Sequence, residues 1–150
     1  MYISRKWLED YIDLKSLSSE KIADILVSLG HEVEAIKNFA EIDDKIIVGR
    51  ILSTNKHPNA TSLNICEVDI GEDQVLSIVC GANNVIKDLY VVVSVVGSLL
   101  PGNIKIEPTE IRGQQSEGML CSERELGISD EHDGIIELPD TCKIGAPVKH

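Results

Sequence analysis

The sequence predicts a mainly β protein, an antiparallel barrel or sandwich preceded by two short helices. Six strand-like apolar segments follow one another between residues 45 and 138, with turn-forming residues between them. No helical pattern of ten residues interrupts them, which argues against a parallel α/β sheet. Four of the five Phe, Trp and Tyr residues lie in the first 39 positions. We therefore expect two domains, residues 1–40 and 41–150.

The first forty residues predict two helices. Ser4 is a suitable N-cap for the first helix. Its apolar residues recur at helical spacing and are Trp7, Leu8, Tyr11 and Ile12. A second helix should begin at Ser18 or Ser19 and stop at Gly30. Its apolar stripe comprises Ile22, Ile25, Leu26 and Leu29. Because two short helices cannot form a core alone, this stripe must pack against another part of the protein.

From residue 41 onward the pattern is that of strands. The predicted strands are residues 45–54, 63–70, 74–80, 90–96, 103–111 and 134–138. The segment YVVVSVV at 90–96 is apolar on both faces, which is typical of a central strand. The segment NIKIE at 103–107 alternates instead, so Lys105 and Glu107 should face solvent.

Residues 111–127, IRGQQSEGMLCSERELG, concentrate reactive side chains and raise the question of catalysis. Ser116 lies between Gly113 and Gly118, but the spacing is one residue too long for a G-x-S-x-G nucleophile elbow. Cys121 has acidic neighbours, which oppose a thiolate. We therefore expect a buried, unreactive Cys121 and no catalytic residue in this chain.

The same segment has the residues of a compact structural element. Arg112 should end a strand, Gly113 and Gly118 should allow tight turns, and Met119 and Leu120 should enter the core. The side chains expected to stay exposed form a polar surface of Arg112, Gln114, Gln115, Ser116 and Arg124.

A short helix is predicted immediately after this surface. Ser122 and Glu125 have the S-x-x-E spacing of a capping box, and Gly127 should end the helix after little more than one turn. The helix dipole at Cys121 would therefore be small.

Charge and composition limit the partners of the chain. The net charge is −11, which argues against a broad electrostatic grip on nucleic acid. Residues 41–150 contain nine Lys and Arg against eighteen Asp and Glu, and Tyr90 is their only aromatic residue. A single-strand binder that stacks bases on several rings is not expected, whereas a reader of structured RNA needs only a few contacts.

Cysteine and histidine spacing gives no sign of a metal site. The four cysteines and four histidines lack the short spacings of zinc sites, and we expect reduced thiols. No apolar run approaches the ~20 residues of a membrane span. These features favour a cytoplasmic protein without a membrane partner.

Four blocks carry a resemblance to a known family: KHPNATSLNICEVDIG, IVCGANNV, LP at 100–101, and IRGQQSEGMLCSERELGI. Together they resemble the tRNA-binding OB-fold module of bacterial phenylalanyl-tRNA synthetase beta subunits, of many methionyl-tRNA synthetases and of free-standing tRNA-binding proteins. The resemblance implies a five-stranded Greek-key OB-fold barrel over residues 41–150. The opening ISRKWLEDYIDL, followed by LVSLGHEVEAI, is similar to the start of the phenylalanyl beta subunit.

The resemblance also implies a larger parent enzyme. In that family the beta subunit pairs with a catalytic alpha subunit in an α₂β₂ enzyme that attaches phenylalanine to its tRNA with ATP and magnesium. Residues 1–40 would be completed by chain beyond residue 150, so the resemblance implies that the apolar stripe of the second helix is partly uncovered in these 150 residues. Further beta-subunit domains would be partners. The 150 residues themselves would hold no cofactor and no metal.

Family resemblance assigns the candidate RNA contacts, which are Arg50, Lys56, Asn59, Arg112, Gln115, Ser116 and Met119. Structural roles remain open for some of them: Asn59 can form a Pro-Asn turn, Arg112 can pair with Glu117, and Met119 can belong to the core. Relatives commonly carry Asp and Lys where this chain has Thr61 and Ser62, and Pro in place of Asn83. Two alternatives therefore stand beside tRNA binding by this subunit: a purely scaffolding module, and a tRNA-binding module of another synthetase or of a free-standing protein.

Overall fold

A computed structural model describes residues 3–36 and 42–148 of the chain. The fold divides into two compact units, Met1–Asn38 and Phe39–His150. The predicted boundary between residues 40 and 41 lies outside the described residues. Among those residues, no helix is long and apolar enough to cross a bilayer.

The first unit contains the two predicted helices. Helix α1 spans Arg5–Glu9, and the Ser4 hydroxyl oxygen accepts a hydrogen bond from the Trp7 N–H at 3.4 Å. Helix α2 spans Ser19–Ser28, and the Ser18 hydroxyl oxygen accepts from the Lys21 N–H at 3.2 Å. Both N-caps were predicted correctly, because a serine before an apolar-periodic segment is a local signal.

The end of α2 forms a Schellman motif around Gly30, whose φ is +88°. The His31 N–H donates to the Leu26 carbonyl at 2.9 Å, and the Gly30 N–H donates to the Val27 carbonyl at 3.0 Å. No residue of α2 is buried, and Leu29 is 69% exposed. Within the predicted apolar stripe Ile25 and Leu29 are exposed and Ile22 and Leu26 are partly buried, so the stripe is partly uncovered, as expected.

The second unit is built from short antiparallel strands. Among the described residues these are β1 Ile46–His57, β2 Ala60–Asp69, β3 Val75–Cys80, β4 Tyr90–Val95, β5 Leu99–Leu100, β6 Ile104–Lys105, β7 Thr109–Ile111, β8 Gln114–Ser116, β9 Gly118–Leu120 and β10 Glu137–Leu138. The main sheet has the order β10-β4-β1-β2-β3, and β9 pairs with β4. The Glu117 N–H donates to the Ser77 carbonyl at 2.9 Å and brings the chain between β8 and β9 against β3. The result is a nearly closed five-stranded antiparallel barrel, which confirms the predicted OB-like fold class.

Strand β4 is the centre of this unit. Val91 and Val93 belong to one buried cluster, with Ile51, Cys66 and Ile78. Val92 points to a second cluster that contains Ile46, Leu100, Ile106, Cys121 and Leu126. All three valines are fully buried, so the prediction of a central strand is confirmed.

The single strand predicted over 103–111 is wrong. Residues 104–105 pair with β5, whereas residues 109–111 pair with β8. Pro108 lies between them and has no N–H for a ladder, so the chain leaves one hairpin before it enters the next. Lys105 and Glu107 are exposed, as predicted.

The short helix predicted from Ser122 to Gly127 is also wrong. The Ser122 N–H does donate to Glu125 Oε2 at 2.6 Å, which is one half of a capping box, but the Ser122 O–H donates to the same carboxylate. The chain nevertheless closes as a turn, in which the Ile128 N–H donates to the Glu123 carbonyl at 2.9 Å. Gly127 has a φ of +65°, and this left-handed conformation reverses the chain before a helical turn is complete.

Gly118 has a different role from the one predicted. Its φ is not positive, and it lies within β9 instead of a tight turn. A Cβ atom at Gly118 would lie 2.9 Å from the Ser94 carbonyl oxygen. The glycine is needed because β9 lies directly against β4.

Candidate nucleic-acid interface

Two turns that are distant in sequence lie side by side at the surface of the barrel. One joins β1 to β2 and contains Pro58 and Asn59; the other joins β7 to β8 and contains Arg112 and Gly113. The Asn59 side-chain Nδ2 donates to the Arg112 carbonyl oxygen at 3.1 Å. Nε2 of His57 lies 3.0 Å from the Ile111 carbonyl oxygen.

The β7–β8 turn has the geometry of a tight two-residue hairpin. Ile111 pairs with Gln114, so Arg112 and Gly113 are its central residues. Their φ angles are +50° and +87°, as a type I′ turn requires at both positions. A left-handed conformation is unfavourable for arginine by about 1–2 kcal/mol. The bond from Asn59 to the Arg112 carbonyl helps to hold it there.

Lys56 and Arg112 bring positive charge to the two turns. Both side chains are exposed, and within residues 3–36 and 42–148 neither forms an ion pair. The alternative role of Arg112, a pairing with Glu117, does not form; Glu117 Oε2 accepts a hydrogen bond from the Ser77 N–H at 3.1 Å instead. The two cations are therefore available to phosphate oxygens.

Gln115 lies on the same hairpin and completes an exposed polar surface. Its Nε2 is 3.4 Å from Glu110 Oε2 on the facing strand. We call the exposed set Lys56, Asn59, Arg112 and Gln115 the two-turn surface. These four of the seven predicted contacts are brought together by the fold.

Ser116 and Met119 belong to the barrel wall instead. Ser116 is only 4% exposed; its hydroxyl oxygen accepts from the Val79 N–H at 3.1 Å, and its O–H donates to the Gly118 carbonyl at 3.0 Å. Met119 is half-buried and packs on the second core cluster. The structure thus keeps both side chains off the two-turn surface.

Arg50 is separated from the two turns. It lies six residues before Lys56 on β1, about 20 Å along an extended strand. Its guanidinium pairs with Asp88 at 2.5 Å and lies 5.9 Å from the centroid of the Tyr90 ring. The charge of Arg50 is therefore balanced locally.

Sequence reasoning missed His57, which is 4% exposed. Its position beside Pro58 in KHPNA was the available signal, because a histidine buried beside a turn needs partners for both ring nitrogens. Nδ1 accepts a hydrogen bond from the Asn59 N–H at 3.0 Å, and Nε2 reaches the Ile111 carbonyl oxygen. The ring therefore connects the two turns.

Asn84 was also missed. Its Nδ2 donates to the Ile135 carbonyl at 3.0 Å, and its Oδ1 accepts from the Ile135 N–H at 3.0 Å. A Cβ atom at Gly134 would lie 2.8 Å from this amide oxygen, so the glycine allows the approach. Asn84 fixes the chain before β10 to the barrel.

Cys121 has the environment of a structural thiol. It is fully buried, and its Sγ lies 3.1 Å from the Ser94 hydroxyl oxygen. Burial raises the pKa of the Cys121 thiol to about 11, and it also raises the pKa values of the Cys66 and Cys80 thiols. At neutral pH these thiols are protonated and therefore poor nucleophiles.

The larger of the two clefts found among the described residues is acidic. A cleft of about 610 Å³ contains Glu125 and Asp133 in its wall, and these carboxylates oppose an anion. Among the described residues, no group of three or more His, Cys, Asp or Glu side chains is arranged to hold a metal ion.

Comparison with known proteins identifies relatives. Residues 46–147 match the family described as "Putative tRNA binding domain". Over 99% of its length the chain is 43% identical to a phenylalanine--tRNA ligase beta subunit from Francisella tularensis and 44% identical to one from Sulfurimonas denitrificans. It spans 19% of the length of each of these relatives.

A solved structure supports the same fold. It is described as a MetRS related protein from Pyrococcus horikoshii, matches with a TM-score of 0.53 at 20% identity, and covers 76% of this chain and 100% of its own. At this identity the likeness concerns the fold alone.

Proposed function

The chain belongs to the tRNA-binding domain family over residues 46–147, and from this membership we propose that it is a tRNA-binding module of a phenylalanine--tRNA ligase beta subunit. Support for the assignment to that subunit is the 43–44% identity that extends over both units of the chain. A methionyl or free-standing relative is the less favoured alternative.

The observation that carries the proposal is the two-turn surface. Lys56 and Arg112 are exposed cations without ion pairs among the described residues. Arg112 lies in one of the two bonded turns, and Lys56 lies on β1 two residues before Pro58 of the other. Two cations at a defined spacing suit the phosphates of a folded RNA, which is recognised by shape and backbone contacts. Asn59 and Gln115 add polar groups for ribose or phosphate oxygens.

The parent enzyme belongs to the same proposal. We infer a longer beta subunit that works in the cytoplasm with a catalytic alpha subunit in an α₂β₂ assembly. That enzyme would use ATP and magnesium to join phenylalanine to its tRNA, while this 150-residue chain would bind RNA without catalysing a reaction. The name of these relatives, phenylalanine--tRNA ligase beta subunit, supports the ligase assignment.

Fluorescence anisotropy with a labelled tRNA transcript, repeated from low to moderate salt, tests the function directly. We expect an affinity whose logarithm falls linearly with the logarithm of the salt concentration. The variant Lys56→Ala/Arg112→Ala should bind about tenfold or more weakly, and its salt slope should be smaller by about two, one for each lost phosphate contact.

The chain offers a matched control for the loss of two positive charges. Lys105 pairs with Glu107, and Arg124 lies next to Glu123 and Glu125. Lys105→Ala/Arg124→Ala should change both the affinity and the salt slope much less than the first variant. Equal effects of the two variants would show that only net charge matters, and no binding at low salt would leave the scaffolding alternative.

A further inference from the structure

His57 is a buried polar residue that has no assigned role in the proposed function. It ends β1, is 4% exposed, and uses both ring nitrogens within the protein. Nδ1 contacts the Asn59 N–H at 3.0 Å, and Nε2 contacts the Ile111 carbonyl oxygen at 3.0 Å. The imidazole therefore bridges two backbone segments that are 52 to 54 residues apart in sequence.

The partners determine which ring nitrogen carries the proton. A backbone N–H can only donate, so Nδ1 of His57 must offer its lone pair to Asn59. A carbonyl oxygen can only accept, so Nε2 must carry a hydrogen and donate it to Ile111. Any other protonation state would place two donors or two acceptors against each other. The ring is thus required in one neutral tautomer.

The bonded atoms lie next to the two exposed cations. Lys56 directly precedes His57, and Arg112 directly follows Ile111. A second hydrogen bond, from Asn59 Nδ2 to the Arg112 carbonyl oxygen, also holds the two turns together. We propose that His57 is a positioning residue that holds Lys56 and Arg112 at a fixed spacing for two phosphate groups of one tRNA. This role rests on the proposed function.

The tautomer can be tested without RNA. Long-range ¹H–¹⁵N correlation spectra of the uniformly ¹⁵N-labelled chain at pH 7.5 report which ring nitrogen of each histidine is protonated. We expect the His57 signals, assigned by their loss in His57→Gln, to show a protonated Nε2 and an unprotonated Nδ1. A protonated Nδ1 would overturn the proposal, because the bond from Asn59 could not form.

The positioning role is tested by how strongly the two cations depend on each other. If the spacing is fixed, Lys56 and Arg112 bind one tRNA jointly. The losses of tRNA-binding free energy caused by Lys56→Ala and Arg112→Ala should then not be additive when His57 is present. We expect a coupling of about fivefold in tRNA affinity. In a His57→Leu background the two losses should become additive, and overall affinity should fall about tenfold.

Two further variants distinguish hydrogen bonding from packing. His57→Gln retains one acceptor and one donor and should keep more of the coupling than His57→Leu. His132→Leu changes an exposed histidine whose Nδ1 contacts the Asp130 carbonyl oxygen and neither turn, and it should alter nothing. Affinities are compared only under conditions in which unfolding curves show each variant to be folded. If His57→Leu does not fold, the tautomer of the wild-type His57 ring still tests the proposal.

The outcomes separate this inference from the proposed function. If wild-type chain binds tRNA and His57→Leu keeps the same affinity and the same coupling, the positioning role is overturned while tRNA binding stands. If wild-type chain shows no tRNA binding at low salt, both proposals fail. Loss of coupling in His57→Leu, with partial rescue in His57→Gln, supports the positioning role.

Discussion

The two-turn surface and the acidic segment, residues 123–140, belong to the same unit and are held by similar hydrogen bonds, but they differ in charge. Side chains bond to backbone groups in both: Asn59 to Arg112 in the first, and Asn84 to Ile135 in the second. The acidic segment has seven carboxylates and one arginine, whereas the two-turn surface carries two exposed cations. The net charge of −11 is therefore unevenly distributed, and the two cations of the two-turn surface lie outside the acidic segment.

The largest effect is expected in the alkylation rates of two cysteines, Cys121 and Cys142. Their difference tests how firmly the chain at the start of the acidic segment is held. Cys121 is fully buried just before this segment, and burial raises its thiol pKa to about 11. At pH 8 only about one thiol in a thousand would be ionised, so alkylation should be at least a hundredfold slower than that of the partly exposed Cys142.

The measurement is iodoacetamide labelling of the native chain, followed by peptide mass spectrometry. Raising the pH toward 11 should accelerate labelling of Cys121, since the thiolate fraction rises as the pH approaches the pKa. Labelling of both cysteines at equal rates at pH 8 would show that the chain around Cys121 opens readily. Urea-unfolded chain, in which the cysteines are solvated, is the positive control.

A second prediction concerns the anchor of the acidic segment. Asn84→Ala removes both hydrogen bonds to Ile135. The partly buried backbone N–H and carbonyl of Ile135 then lose these partners. We expect the free energy of unfolding to fall by about 2–3 kcal/mol, measured by urea denaturation. The tRNA affinity of the folded variant should stay within twofold of wild type, whereas a loss comparable to that of Lys56→Ala/Arg112→Ala would place RNA contacts on this segment as well.

A third prediction separates strain from charge in the two-turn surface. Arg112 has a φ of +50°, so Arg112→Gly should relieve strain and leave stability unchanged or higher by up to about 1 kcal/mol. The same change removes a phosphate partner and should weaken tRNA binding about fivefold. Arg112→Lys keeps the charge and should retain more affinity; equal binding by all three proteins would remove Arg112 from the interface.

Local sequence signals explain which parts of the fold were predictable. Three signals act within a few residues, and the structure confirms each of them: the serine N-caps, Gly30 after α2, and the segment 90–96 that is apolar on both faces. The break at Pro108 and the turn that replaces a helix after Ser122 depend instead on which strand pairs with which. Such pairings are tertiary and override local propensity.

The sequence predicted which residues belong to the candidate site but not how they are arranged in space. Lys56, Asn59 and Arg112 stand in two recognisable blocks, yet nothing local indicates that Asn59 bonds the carbonyl 53 residues later. Polarity alone also suggested that Ser116 is exposed, whereas its hydroxyl serves the backbone of β3 and β9. His57 escaped notice because its role exists only once the two turns meet.

The smallest expected effect concerns the field of the acidic segment at the two-turn surface. Glu131→Gln/Asp133→Asn removes two negative charges from exposed positions without changing the size of the side chains. Because long-range repulsion of RNA is screened beyond a Debye length of about 10 Å at 0.1 M salt, we expect at most a twofold gain in tRNA affinity. The gain should be visible in anisotropy titrations at low salt and absent above about 0.15 M. A larger gain that persists at high salt would mean that RNA lies directly against residues 131–133, and the two regions would then form one interface.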